Sequence, residues 1–307
     1  MNGVQITGLA NLAGGTMRGV QLAGISNISG NNTVGLSAAG LVNITGDRTQ
    51  GVIISGLTSI GGDNTSGLMI SGFMNVTGNM ASGLHFSGAA NITGQSFGGL
   101  MASGLLNVVG EHMNGLQMAG IANITASKLN GVQIALCNYA TQARGLQIGL
   151  VNYYKEDMKG FQLGLVNANP DTRVQMMVYG GNATPANIGV RFKNQLFYTI
   201  LGIGSMYQGL NDKFSASASY RAGLSFTLYK GLSISGDLGY QHIEAFDNKD
   251  EVIPKRLYAL QARANLEYQF TRKFGIFATG GYGLTRFYNK SSNYDKGAII
   301  EAGIVLF

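Results

Sequence analysis

The first half of the chain repeats one pattern of glycine, apolar and polar positions every sixteen residues. The stretch "GVQLAGISNISGNNTV", residues 19 to 34, is followed by "GLSAAGLVNITGDRTQ", so each kind of residue returns to its place. The pattern lacks a 3.6-residue period and is rich in glycine, which predicts strands and short turns rather than helices. The opening glycines follow in steps of sixteen and, after residue 131, of 14 or 15: Gly3, Gly19, Gly35, Gly51, Gly67, Gly83, Gly99, Gly115, Gly131, Gly145 and Gly160.

Two architectures fit this repeat. In a β-solenoid each unit is one coil, and identical positions stack about 4.8 Å apart. In one large membrane barrel each unit would be one strand, because "GVQLAGISNIS" is long enough to span a bilayer. All turns of the repeat have one length, whereas barrel connections alternate between short and long. The apolar spacing also breaks at Gly24 and near Asn27, as corners require. We therefore predict a β-solenoid over residues 1–168, with the larger barrel as the alternative.

The ninth position of the unit predicts a ladder of side-chain amides. Identical amides on stacked coils can hydrogen-bond to one another along the stack. The apolar columns are expected inside, where burial of each side chain contributes about 1.5–3 kcal/mol. His85 stands in a variable column and is expected to point outward, and Cys137 is expected to be packed. The predicted ladder, in which Ser59 is the exception, consists of Asn11, Asn27, Asn43, Asn75, Asn91, Asn107 and Asn123.

The pattern changes near residue 170 to strict alternation over long strands. In "SASASYRAGLSFTL" apolar or small residues alternate with serine, arginine and threonine. Such segments occur near 174–180, 186–193, 196–204, 215–228, 231–243, 257–270, 273–287 and 297–307. Their connections alternate between tight turns and longer polar loops, the latter at 206–214, 245–255 and 288–296. Residues 169–307 therefore predict an eight-stranded antiparallel outer-membrane β-barrel.

The polar face of these strands decides between a membrane barrel and a soluble one. A lipocalin-like barrel would carry lysines on its outer face, but here that face is rich in serine, glutamine, asparagine and threonine. We expect it to line a narrow lumen closed by an ion-pair network of Arg221, Asp237, Arg263, Glu267 and Glu301. Aromatic residues at the strand ends suit the two membrane interfaces: Tyr220, Tyr240, Tyr258, Tyr268, Phe270 and Phe274. The soluble barrel remains the alternative.

Composition argues against several functions. Charged residues are 12% of the chain and the formal net charge is +6, but no basic run would follow a phosphate backbone, so no nucleic-acid partner is expected. A single cysteine excludes a disulfide within the chain and a cysteine-based zinc site. We expect no catalytic, cofactor-binding or metal-binding residues and no cofactor. The weak enzymatic alternative, an outer-membrane hydrolase, would use Ser235, His242 and Asp247.

The units "GLQIGLVN" and "GFQLGLVN", with "GVQLAGISN" upstream, resemble a family of bacterial surface repeat-containing proteins. The resemblance covers residues 3 to 168. It implies a location in the Gram-negative cell envelope, and no reaction or ligand.

These observations predict a non-enzymatic outer-membrane protein. The barrel would be the anchor in outer-membrane lipid, and the solenoid a structural or interaction surface for an unknown protein or glycan partner. The alternative is a transport or pore protein in which the repeats are strands of one larger barrel. The loop lengths favour a periplasmic position for the repeats.

Overall fold

A computed structural model describes residues 1–207, 210, 214–246, 256–288 and 293–306. The chain divides into two compact units, Met1–Gly164 and Leu165–Phe307. The division falls a few residues before the boundary predicted after residue 168. Each unit is described separately.

The first unit is a parallel β-solenoid of about ten coils. Each early coil holds one longer strand and one strand of four residues, and the later coils fuse into strands of 12 or 13 residues. The strands are β1 Asn2–Thr7, β2 Ala10–Ala13, β3 Met17–Ala23, β4 Ser26–Ser29, β5 Thr33–Ala39, β6 Val42–Thr45, β7 Arg48–Ser55, β8 Thr58–Gly61, β9 Asn64–Ser71, β10 Met74–Thr77, β11 Met80–Ser87, β12 Ala90–Thr93, β13 Ser96–Ser103, β14 Leu106–Val109, β15 His112–Ala119, β16 Ala122–Ile134, β17 Cys137–Ile148 and β18 Val151–Leu163.

Equivalent positions of successive repeats pair in register. Gly83 of β11 lies opposite Gly67 of β9 and Gly99 of β13, and both pairings are parallel. Because consecutive strands of a membrane barrel pair antiparallel, the larger-barrel alternative is wrong. The predicted solenoid is confirmed.

The opening glycine of each repeat fits where no other residue can. Gly99 has a φ of +128°, and a Cβ built on it would lie 2.2 Å from the carbonyl oxygen of Gly83. The predicted corner at Gly24 is confirmed, since β3 ends at Ala23 and β4 begins at Ser26. The second corner was predicted near Asn27, which is wrong: Asn27 lies inside β4. The chain turns after Ser29 instead.

The expectation that the apolar columns fill the solenoid is wrong. In the coil that opens at Gly115, the buried side chains include Gln117, Asn123 and Thr125, whereas Met118 and Ile121 are exposed. Alternate residues of a strand point to opposite faces, so the apolar neighbours of the inward-pointing asparagine and glutamine must point outward. Apolar residues reach the interior mainly in the middle and later coils, where one cluster contains Ala81, Phe97, Met101, Val109, Met113, Leu129, Ala140 and Ala143.

The second unit contains a closed eight-stranded antiparallel barrel, as predicted. A short strand, β19 Val166–Ala168, precedes it. The barrel strands are β20 Arg173–Gly181, β21 Ala186–Asn194, β22 Phe197–Ser205, β23 Ser215–Tyr229, β24 Leu232–Ala245, β25 Arg256–Thr271, β26 Phe274–Phe287 and β27 Asn293–Leu306. β27 pairs with β20 and closes the ring.

Connections at one end of the barrel are tight, such as Tyr229–Leu232 and Thr271–Phe274, and those at the other end are longer. The three predicted long loops lie partly outside the described residues. The buried face of the strands is largely polar and the exposed face largely apolar, although one buried cluster is hydrophobic: Met177, Tyr179, Tyr198, Ile200, Phe277 and Val305. In β24, Ser233, Ser235 and Asp237 are buried, whereas Leu238 is 72% exposed.

Candidate functional site: polar interiors and apolar outer surfaces

The asparagines of the ninth position form two hydrogen-bonded ladders inside the solenoid. Each Nδ2 donates to the Oδ1 of the asparagine in the next coil, at 2.8 Å from Asn11 to Asn27 and 3.0 Å from Asn27 to Asn43. The same Nδ2 atoms donate to backbone carbonyls of the next coil, as Asn27 does to Ala38 O at 2.8 Å. The structure places all seven predicted asparagines inside: Asn11, Asn27, Asn43, Asn75, Asn91, Asn107 and Asn123.

Serine hydroxyls bridge the one gap in the ladder. Ser59 replaces asparagine, and its Oγ lies 2.7 Å from Ser55 Oγ and 2.9 Å from Ser71 Oγ. Asn43 donates to Ser55, and Ser71 donates to Asn75, so the hydrogen bonds continue past Ser59. The second ladder, which restarts at Asn75, runs beyond the predicted residues through Asn138 and Asn152, at 3.0 and 2.9 Å.

Glutamines form a separate ladder, which the sequence-based prediction missed. Gln133 Nε2 donates to Gln117 Oε1 at 2.8 Å, and Gln147 and Gln162 continue the series at the same spacing. All stand in the third position of the repeat, as do Gln5 and Gln21, which also pair at 2.8 Å. The signal was in the sequence, because glutamine returns to this column at the repeat length.

His85 stands in the same column, so the expectation that it points outward is wrong. It is 1% exposed, and its ring meets the Phe97 ring edge to face at a centroid distance of 5.0 Å. Its Nε2 is buried without a hydrogen-bond partner. Burial lowers the pKa of His85 from 6.5 to about 4, since desolvation disfavours the imidazolium.

The outer surface of the solenoid has an apolar and a polar part. We call positions 2, 4, 7, 8 and 10 of the sixteen-residue repeat, counted from its opening glycine, the apolar band. In the shortened coils a residue takes the position of its partner in the pairing, so Cys137, opposite Ala122, stands at position 8. In one coil it comprises Leu116, Met118, Ile121, Ala122 and Ile124, which are exposed or half-buried. Every charged residue of the first unit lies instead in the last five positions: Arg18, Asp47, Arg48, Asp63, Glu111, Lys128, Arg144, Lys155, Glu156, Asp157 and Lys159.

The barrel lumen contains a buried cluster around Arg221 and Asp237. Arg221 donates from Nε and Nη2 to the two carboxylate oxygens of Asp237, at 2.8 and 2.7 Å. Tyr198 Oη and Asn265 Nδ2 each donate to Asp237 Oδ2 at 2.8 Å. Four side chains from four strands thus converge on the middle of the lumen.

Two further ion pairs close the lumen on either side. Arg263 forms a bidentate pair with Glu301 at 3.1 Å for both contacts, and Glu301 also lies 3.7 Å from Arg221. Glu267 pairs with Arg191 at 2.6 and 3.0 Å. The structure thus places all five predicted lumen residues inside. Arg191 was not predicted, although the alternation of "ANIGVRFKN" puts it on the polar face.

Aromatic side chains cluster at both ends of the barrel. Tyr268 and Phe270 lie 5.0 Å apart at the tight-turn end, and Phe270 stacks on Phe274 at 5.9 Å. At the other end Tyr258 lies 6.1 Å from Tyr240. Ten residues of β25 separate Tyr258 from Tyr268. At about 3.4 Å per residue and a tilt of about 40°, the two clusters stand about 26 Å apart along the barrel axis.

Ser235 and His242 of the hydrolase alternative do not converge. Ser235 points into the lumen, where Asn265 donates to it at 3.2 Å. His242 lies on the opposite face of β24, with Nδ1 at 2.8 Å from Tyr288 Oη. Asp247 lies outside the described residues. The expectation for Cys137 is also wrong, because this thiol is exposed. Across the described residues, no group of three or more histidine, cysteine, aspartate and glutamate side chains could hold a metal ion.

No protein-family model matches the chain, and no curated protein sequence matches it. The family suggested by the repeats therefore stays a resemblance. Within the described ranges, no helix is long and apolar enough to cross a membrane. Among solved structures, the chain is similar to the N-terminal β-barrel domain of Pseudomonas aeruginosa OprF. The identity is 16% over 43% of this chain and 93% of that one, with a TM-score of 0.30. A likeness this weak carries no argument about function.

Proposed function

We propose that this protein is a non-enzymatic component of the bacterial outer membrane, in which the barrel is the lipid anchor and the solenoid a structural or interaction surface. The observation that carries the proposal is that the barrel has a largely polar interior and an apolar exterior, the reverse of a soluble protein. Arg191, Arg221, Asp237, Arg263, Glu267 and Glu301 are buried in the lumen, whereas the outer face is apolar, with Ile203 66% and Ile300 67% exposed. In water such a surface would drive association, whereas in a bilayer it is solvated by acyl chains.

The height of the apolar face supports the same conclusion. The aromatic clusters stand about 26 Å apart, and membrane barrels carry an apolar band about 25 Å tall between aromatic girdles. Every strand of the barrel is paired on both sides, so no backbone edge is open to lipid. A soluble barrel would need neither the girdles nor the aliphatic exterior.

The turn lengths support a periplasmic position for the repeats. Outer-membrane barrels have short periplasmic turns and longer extracellular loops. The first barrel strand begins at the tight-turn end, since Arg173 pairs with Lys193 beside the turn to Phe197. The chain therefore enters the barrel from the side on which the short turns lie.

The lumen argues for an anchor rather than a pore. The ion pairs of Arg191, Arg221 and Arg263 join different strands across the interior. Eight strands enclose a space that side chains can fill. Ser235 and His242 lie on opposite faces of β24, and a nucleophile and a base must converge to act together. We propose no reaction.

Lipid contact of the barrel can be tested with single fluorescent labels. We would replace Cys137 by alanine and introduce Ile203→Cys on the outer face or, as the matched control, Arg272→Cys in a tight turn. After reconstitution into phosphatidylcholine vesicles, nitroxide-labelled acyl chains should quench the dye at position 203, and aqueous iodide should quench the dye at 272. A dye at position 203 that iodide quenches and nitroxide lipid does not would refute the proposed membrane barrel.

A further inference from the structure

Like the barrel, the solenoid has polar side chains in its interior and apolar side chains on its surface. Its interior holds asparagine and glutamine ladders, and the apolar band lies on its surface. A water-soluble solenoid is expected to place its aliphatic columns inside, where their burial is favourable. The whole first unit therefore leaves a continuous aliphatic surface that something must cover.

The solenoid can tolerate an apolar environment because most of its polar groups are satisfied internally, with His85 Nε2 and the Ser87 and Ser103 hydroxyls among the exceptions. Backbone groups bond from coil to coil, even at the corners, where Leu57 N donates to Leu41 O at 2.9 Å. The interior amides bond to one another and to carbonyls. Structures that meet lipid must satisfy their backbone in this way.

The composition of the apolar band favours lipid over a protein partner. Across residues 3–168 its five columns contain no charged residue, and no asparagine, glutamine or histidine. Protein interfaces carry about one hydrogen bond per 100–200 Å² and need polar groups to form them. The band offers almost none, and such a surface fits acyl chains, which require no directional bonds.

The aromatic residues of the later coils agree with a lipid environment. In the later coils the tenth position becomes tyrosine, and Tyr139 stacks on Tyr153 at a centroid distance of 5.8 Å. Tyrosine is enriched where a protein surface crosses from acyl chains to headgroups.

From these observations we propose that the apolar band of the solenoid is itself embedded in a phospholipid leaflet, while the charged columns at the end of each repeat face water. The inference rests on the proposed membrane location of the barrel. It makes the repeat unit a lipid-binding surface in its own right. At about 4.8 Å per coil, the solenoid is about 50 Å long.

The natural cysteine allows a direct test with the full chain. Cys137 occupies the eighth position, inside the apolar band, and is exposed. We would label it with nitrobenzoxadiazole in phosphatidylcholine vesicles. The matched control is Asn114→Cys in a Cys137→Ala background, which places the dye among the polar columns. Nitroxide-labelled acyl chains should quench the dye at 137 at least twofold more than the dye at 114, with the order reversed for iodide.

The barrel reporter at position 203 separates the two proposals. If nitroxide lipid quenches the dye at 203 but not the dye at 137, the barrel is in the membrane and the lipid-embedded solenoid is refuted. If a dye at 137 is shielded from both quenchers, a second copy or another protein covers the band, which also overturns the inference. If the dye at 203 fails to reach lipid, the proposed function itself fails.

Discussion

Replacing Gly99 by alanine should destabilise the solenoid far more than replacing its neighbour Gly98. Both glycines lie in β13. Gly99 has a φ of +128°, and an added Cβ would meet Gly83 O at 2.2 Å. A Cβ on Gly98 would meet no heavy atom within 4 Å. The two substitutions add the same methyl group one residue apart, so they isolate the effect of the glycine column.

The magnitude follows from two costs at Gly99. Holding a non-glycine residue in this backbone region costs about 1–3 kcal/mol. Forcing a methyl group against a neighbour costs about 1–3 kcal/mol more, and here the neighbour is a backbone oxygen that cannot rotate away. We therefore expect Gly99→Ala to lower the free energy of unfolding by about 2–6 kcal/mol. Gly98→Ala should raise it by about 0.4–1 kcal/mol, because it restricts the unfolded chain.

The assay uses Cys137 as a probe of the first unit alone. A fluorophore on this exposed thiol reports unfolding of the solenoid in denaturant, with the full chain in detergent micelles. Far-ultraviolet circular dichroism of the same samples reports both units together. Equal denaturation midpoints for the two variants would show that the coils are not packed as closely at the glycine column as described here, and would refute the reasoning.

Four further outcomes are expected. Asn107→Ala removes three hydrogen bonds of 2.7–3.0 Å. It should lower the free energy of unfolding of the solenoid by about 3–5 kcal/mol, from about 1 kcal/mol per bond plus the cost of leaving neighbouring amides unpaired. A denaturation midpoint equal to that of the wild type would contradict this. His85 binds a proton more readily in the unfolded chain than in the folded one. The stability of the solenoid should therefore be fully present above pH 6.5 and fall by about 3 kcal/mol as the pH drops to about 4. His85→Met should remove this pH dependence, and an unchanged pH profile in this variant would argue against a buried imidazole. Arg221→Met leaves Asp237 buried without a counter-ion, although Tyr198 and Asn265 still donate to it. The variant should destabilise the barrel by about 3–5 kcal/mol, followed by heat-modifiable electrophoretic mobility. The double variant with Asp237→Leu should recover most of the loss, and additive losses would argue against the pair. Full-length protein in planar bilayers should show no steady conductance, and stable single channels would favour a pore.

Sequence alone was sufficient for the division of the chain and for the barrel. Alternation over long strands, with Arg221 and Asp237 on one face and Leu238 on the other, determines which face is polar. In a closed ring of eight strands there is only one inside, and buried charges must pair there. The strand bounds and the polar lumen follow from that pattern, but which arginine meets which carboxylate depends on the barrel stagger. The alternation puts Arg191 on the polar face, but its pairing with Glu267, 76 residues away in sequence, does not follow from the pattern.

For the solenoid, sequence determined the period, the strands and the asparagine column, and it did not determine which columns point inward. Aliphatic burial is the usual expectation; it placed His85 on the wrong side and left the glutamine ladder unpredicted. Only stacking brings Gln117 within 2.8 Å of Gln133. Once amides on successive coils satisfy one another, a polar interior leaves few groups unpaired, and the aliphatic side chains can lie outside. The direction of the side chains was decided by contacts between residues sixteen apart, which exist only in the folded stack.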